Sequence, residues 1–134
     1  MTAFELKIIT PDGVQFSGEA EELVVRTTTG DVGILAGHIN FVAPLGMGEA
    51  MVVINGNRRY AACIGGMVSV VNGAVTLVAT TFEWADAIDL DRASASEQRA
   101  KAILARKEAS DADLVMAKAR LKRALIRKGV ASRK

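Results

Sequence analysis

The sequence predicts an all-β sandwich at its N-terminal end followed by an antiparallel two-helix hairpin, α+β overall, with residues 1–84 in the sandwich and 85–134 in the hairpin. Three observations carry this reading. Short runs rich in β-branched residues are separated by turn signals, two Asn-Gly pairs sit between such runs, and the composition changes near Trp84. Beyond that point glycine is absent until Gly129, while alanine and charged residues take over. With 134 residues, 50% of them hydrophobic, the chain has enough apolar material for one modest core and an appendage, not for two ordinary domains.

The strands follow in order. Phe4 to Ile9 alternates Phe4, Leu6 and Ile8 against Glu5 and Lys7; Pro11-Asp12-Gly13 turns the chain, and Val14 to Phe16 and Glu22 to Thr28 come next. Asn55-Gly56 places Met51–Ile54 against Arg59–Ile64. Asn72-Gly73 does the same for Met67–Val71 and Val75–Ala79, because both central residues of a type I′ turn need positive φ. In the second part Asp89 or Asp91 can cap a first helix running to about Lys107, with Glu97 four residues before Lys101. Ser110 with Asp113 resembles a capping box for a second helix, which is expected to stop at about Lys128 before Gly129. Leu114, Ala117, Leu121, Ala124 and Leu125 would face Ala100, Ile103 and Leu104. Alanine-rich contacts bury little area, so the arm is expected to dock only marginally and to respond to a ligand or partner.

Composition excludes several function classes. One cysteine, Cys63, sits in an apolar run and rules out an internal disulfide. With one histidine, one tyrosine and one tryptophan, spacing yields no acid–base pair, metal cluster or activated nucleophile, so no catalytic or metal-ligating residue is assigned. No run approaches the roughly 20 apolar residues of a membrane span, and the start lacks a signal-peptide layout; a soluble cytosolic chain is expected. The net charge of +2 divides unevenly: residues 1–84 carry four basic and eight acidic side chains, residues 85–134 thirteen and seven. The basic excess is greatest at the end, where Lys118, Arg120, Lys122, Arg123, Arg127, Lys128, Arg133 and Lys134 follow Asp113. An anionic partner for this tail is expected.

The segment Gly30-Asp31-Val32-Gly33-Ile34-Leu35-Ala36-Gly37-His38, with Pro44-Leu45 after it, resembles the signature loop of the ATP synthase epsilon family. Ile9-Thr10-Pro11-Asp12-Gly13, Ile64-Gly65-Gly66-Met67-Val68-Ser69-Val70, Val75-Thr76-Leu77-Val78-Ala79 and Arg123-Ala124 extend the match along the chain. Ala36 departs from the proline usual in the family. The resemblance implies a non-catalytic central-stalk subunit clamped to gamma, touching the c ring, peripheral on the cytoplasmic face of the bacterial inner membrane through the complex. Read by themselves, Gly30, Gly33 and Gly37 permit tight turns around Ile34-Leu35, and His38 is a structural or interface residue without a nucleophile partner.

Ile88-Asp89-Leu90-Asp91-Arg92-Ala93 is similar to the motif by which some bacterial members bind a regulatory ATP. The resemblance implies an ATP site of Glu83, Ile88, Asp89, Arg92, Ala93, Arg99, Arg123 and Arg127, the last two allowing for a one-residue longer connection, with Arg120 on the same face. It also implies a partner interface of Gly30, Gly33, His38, Lys122, Arg123 and Arg127, the basic helix meeting an acidic segment of the beta subunit when extended. No cofactor is required beyond that ATP. On spacing alone, Asp89 is simply a cap and the arginines a solvated face. A basic-tailed nucleic-acid or anionic-membrane module is the alternative function, opposed by the absence of aromatic residues after Trp84.

Overall fold

The computed structural model describes residues 2–133, so Met1 and Lys134 lie outside the described residues. Strands β1 (Phe4–Thr10), β2 (Gly13–Ala20), β3 (Glu22–Thr27), β4 (Gly30–Leu35), β5 (Phe41–Pro44), β6 (Met47–Ile54), β7 (Asn57–Val71) and β8 (Ala74–Trp84) precede a single 3-10 turn and helices α1 (Leu90–Leu104) and α2 (Asp111–Ala131).

The two Asn-Gly pairs form the expected hairpin turns, with φ of 50° and 76° at Asn55 and Gly56 and 50° and 82° at Asn72 and Gly73. Met51 pairs with Tyr60 across the first and Met67 with Val78 across the second. The sequence-based break between Ile64 and Met67 is not a break. β7 continues through Gly65 and Gly66, and there its neighbour changes from β6 to β5, while β8 stays alongside. Two layers result, β2-β1-β8-β7-β5 and β8-β7-β6-β3-β4, sharing the long strands β7 and β8. Leu6, Ile8, Val68, Val70 and Leu77 from the first layer meet Leu23, Val25, Ile34, Val52 and Cys63 from the second in one buried cluster. Burial there pushes the Cys63 thiol up to about 12, which suits an inert core residue.

Gly66 is what permits the corner. Its φ is 112°, and a Cβ there would lie 1.9 Å from the Val78 carbonyl oxygen. Gly66→Ala is therefore expected to destabilise the sandwich by about 3 kcal/mol, read as a lower midpoint in urea unfolding.

Several sequence-based boundaries move. β2 runs on to Ala20, and the glycine-rich signature segment is largely strand β4, hydrogen-bonded to β3. Gly30 (φ 128°) and Gly37 (φ 80°) do hold turns, whereas Gly33 lies inside the strand opposite Val24. β4 ends the strand order, so one edge of its backbone remains open to a neighbour. The first helix stops at Leu104 rather than Lys107, and the second passes through Gly129 to Ala131. Packing overrides the glycine, because Val130 and Ala131 are buried against Ala62, Ala85 and Ile88. A Cβ on Gly129 would meet nothing within 4 Å. Gly129→Ala should thus stabilise the docked arm by about 0.5–1 kcal/mol, measurable as a higher α2 melting midpoint.

Candidate functional site: an arginine-lined cleft under the arm

The helical arm lies on the outer face of the second layer, and one row of that face organises the contact. Glu49, Ala62 and Glu83 are register partners across β6, β7 and β8. The last turns of α2 follow this row: Arg127 Nε donates to Glu83 Oε1 at 2.6 Å, Val130 and Ala131 cover Ala62, and Arg133 Nε donates to Glu49 Oε2 at 2.6 Å. Arg133 also stands 4.7 Å from the Tyr60 ring centroid.

Between arm and sandwich opens a cleft of about 660 Å³, within the roughly 300–1,000 Å³ usual for small-molecule sites. Helical spacing builds its cationic wall. Arg92, Ser96 and Arg99 project from one face of α1 at i, i+4 and i+7, and Arg120, Arg123 and Arg127 from α2 at i, i+3 and i+7. The opposite wall is Thr10 and Asp12 from the first hairpin with Thr80, Thr81, Phe82 and Glu83 from β8. Five arginines face three carboxylates, those of Asp12, Glu83 and Asp89. Among the described residues, Arg92, Arg99, Arg120 and Arg123 form no ion pair, so a surplus of guanidinium donors is available to a polyanion.

Of the residues named from sequence, Glu83, Asp89, Arg92, Ala93, Arg99, Arg123 and Arg127 line this one cleft. Ile88 lies beside it, buried with Ala85 and Val130, where it seats α2. Asp89 is the cap of α1, its Oδ1 accepting from the Arg92 backbone N–H at 3.0 Å. Lys122 points elsewhere, into a shallow apolar groove with Leu121 and Leu125. Leu125 itself is 49% exposed, contrary to its expected place in the hairpin seam, whereas Ala124 is buried there as expected. His38, by the β4–β5 turn, bonds through Nδ1 to its neighbour's carbonyl (Ile39 O, 2.8 Å) and packs edge-on to Phe41.

Sequence reasoning missed Thr10, Asp12, Thr80, Thr81, Phe82 and Ser96. Ser96 was legible from its spacing to Arg92. Thr80, Thr81 and Phe82 adjoin Glu83 on β8, and Thr10 and Asp12 reach them because β1 pairs in parallel with β8, a contact between segments about 70 residues apart.

Inside the hairpin, α1 and α2 meet along Ala93, Glu97 and Ala100 on one side and Ala117 and Ala124 on the other. Glu97 is buried, its Oε1 accepting from Lys128 Nζ at 2.6 Å and its Oε2 paired with Lys101 Nζ at 2.8 Å. The Lys101 and Lys128 hydrogen bonds hold its carboxyl below the ordinary value of 4.5. A carboxyl lowered in the folded state stabilises it fully above the unfolded value and loses that contribution as pH falls through the folded one. Acid titration should loosen the hairpin only below about pH 4.5, and helix protection measured against Glu97→Gln should converge there.

On the first layer's outer face, Val14, Ile9, Val78, Met67 and Pro44 form a single register row across β2, β1, β8, β7 and β5. Val14, Val78 and Met67 are 58%, 48% and 44% exposed. An apolar band crossing five strands is unusual for a free surface.

Residues 3–85 match the family model of the ATP synthase delta/epsilon chain beta-sandwich domain, and residues 86–131 that of its long alpha-helix domain. The chain is similar to the ATP synthase epsilon chain of Ruminococcus albus, 39% identical over 135 residues and covering 100% of both chains. It is similar also to that of Bacillus pumilus, 38% identical over 133 residues, 99% of this chain and 100% of the relative. Among solved structures, a chain of the Euglena gracilis mitochondrial ATP synthase assembly of OSCP, F1 and c-ring superposes with a TM-score of 0.83 at 20% identity, covering 100% of this chain and 83% of that one. A chain of the Tetrahymena thermophila mitochondrial ATP synthase central stalk and c-ring superposes with 0.65 at 12% identity, covering 95% of each. At these identities the structural likeness bears on the fold.

Proposed function

The chain belongs to the delta/epsilon family of ATP synthase subunits, as a non-catalytic subunit, and from that premise we propose that its arm is a regulatory element closed by ATP. In this reading the sandwich joins gamma to the c ring at the cytoplasmic face of a bacterial membrane. The arm restrains ATP hydrolysis when it extends toward the catalytic beta subunit, and ATP in the cleft favours the docked form. Among the described residues no helix is long and apolar enough to cross a membrane, in keeping with attachment through the complex.

One observation carries the nucleotide reading: the arginines come from both helices and reach one cleft against the sandwich only with the arm docked. A triphosphate bridging them binds the docked state and not the extended one, so it shifts the population by its differential affinity. The apolar row from Val14 to Pro44 and the open edge of β4 supply surface for gamma and c-ring contacts. Calorimetric titration of the isolated protein with ATP tests this. Saturable one-to-one binding supports it; no heat at millimolar ATP removes the nucleotide from the account.

A further inference from the structure

We infer that Glu97 is a positioning residue for the arginine cleft: held by Lys128 of α2, it fixes the register in which the α1 arginines meet the α2 arginines. The inference rests on the nucleotide reading of that cleft.

The seam around Glu97 is built of alanines, Ala93 and Ala100 on α1 and Ala117 and Ala124 on α2. Small, uniform side chains let two helices approach closely but discriminate poorly between registers one turn apart, a slip of about 5.4 Å. Like charges make matters worse, since five guanidinium groups on one cleft repel each other in the docked arm. Glu97 is the one buried ionised side chain among the described residues. Sliding α2 by a turn would bring Ala124 or Leu125 in one direction, and Ala131 or Ser132 in the other, to the place of Lys128; none carries an ammonium, and the short Ser132 hydroxyl already donates to Gly129 O. The slipped register therefore leaves Glu97 Oε1 buried on the α1 seam without its ammonium donor, with only Lys101 still paired to Oε2, and the native one satisfies both oxygens. The same slip would move Arg123 and Arg127 by a full turn relative to Arg92 and Arg99. Lys101 lies on Glu97's own helix, so its pair with Glu97 says nothing about register.

That asymmetry supplies the control. Glu97→Gln, Lys128→Gln, the double variant and Lys101→Gln are each placed in a chain carrying spin labels at the exposed positions Ala95 and Leu125, and the inter-helix distance is read by pulsed dipolar spectroscopy without nucleotide. Glu97→Gln and Lys128→Gln should broaden the distribution or add a second distance, while Lys101→Gln leaves it unchanged. In unlabelled protein, ATP affinity by calorimetry should fall about tenfold in either single variant and no further in the double variant, because the competent register is then a minor population. If Glu97→Gln loses helicity, Lys128→Gln, which keeps the Glu97–Lys101 pair, decides alone. An unchanged distance distribution overturns the inference, as does a shifted one with ATP affinity intact. Failure of the parent protein to bind ATP is a separate result: it sinks the nucleotide reading, and with it the positioning role, while the distances still report whether Glu97 sets the register.

Discussion

Arg123→Ala is expected to weaken ATP binding by about a hundredfold, equivalent to about 2.7 kcal/mol. Arg123 is half-buried in the cleft wall and has no carboxylate partner among the described residues, so its guanidinium is available to phosphate. Charge-assisted bonds of this kind, made in a partly dry cleft, are the strong ones. Arg127 is a less clean choice, since its loss would also break the pair with Glu83 and loosen the arm. Lys122, one residue from Arg123, faces the other groove, and Lys122→Ala should leave the affinity within about twofold. Equal affinity for Arg123→Ala and the parent would mean that the triphosphate does not lie where the helices converge.

Removing residues 86–134 is expected to raise ATP hydrolysis by the assembled complex severalfold while leaving assembly intact. The sandwich has its own core, from Phe4 to Phe82, to which neither helix contributes. The arm, by contrast, is held to it by a small cluster around Ala62 and Ile88 and by two ion pairs at its far end. One of these, Arg133 with Glu49, is substantially exposed and contributes at most about 1 kcal/mol. An arm so held can open at modest cost and reach a partner with Lys122, Arg123 and Arg127. Hydrolysis unchanged by the truncation, with assembly intact, would contradict an inhibitory arm.

Much of this was legible in the sequence wherever the signal is local. Asn55-Gly56 and Asn72-Gly73 fixed two hairpins because only a few residues tolerate paired positive φ. Asp89 and Ser110 capped the helices as expected. Where tertiary packing decides, the reading failed: Gly129 does not stop α2, because Val130 and Ala131 gain more from burial than the glycine costs. Gly65-Gly66 read as a boundary and is instead a corner inside β7. β5 and β4 were missed because a four-residue strand and a Gly-rich edge strand carry little alternation. For the cleft, the arginines follow helical spacing, but the Thr10–Asp12 and Thr80–Thr81 wall depends on strand pairing that no local pattern encodes. Glu97 read as one half of a supporting i,i+4 ion pair with Lys101, and its partner across the hairpin, Lys128, lies 31 residues away.

The most direct test of ATP as the ligand that closes the arm is amide hydrogen exchange along α2 in the isolated chain, with and without nucleotide. At about one hundred times its dissociation constant, ATP should stabilise the docked arm by about 2.7 kcal/mol and slow exchange from Lys118 to Ala131 up to a hundredfold. Arg123→Ala should lose that slowing. Saturable ATP binding with α2 exchange unchanged would contradict the account, because the nucleotide would then occupy a site indifferent to the position of the arm.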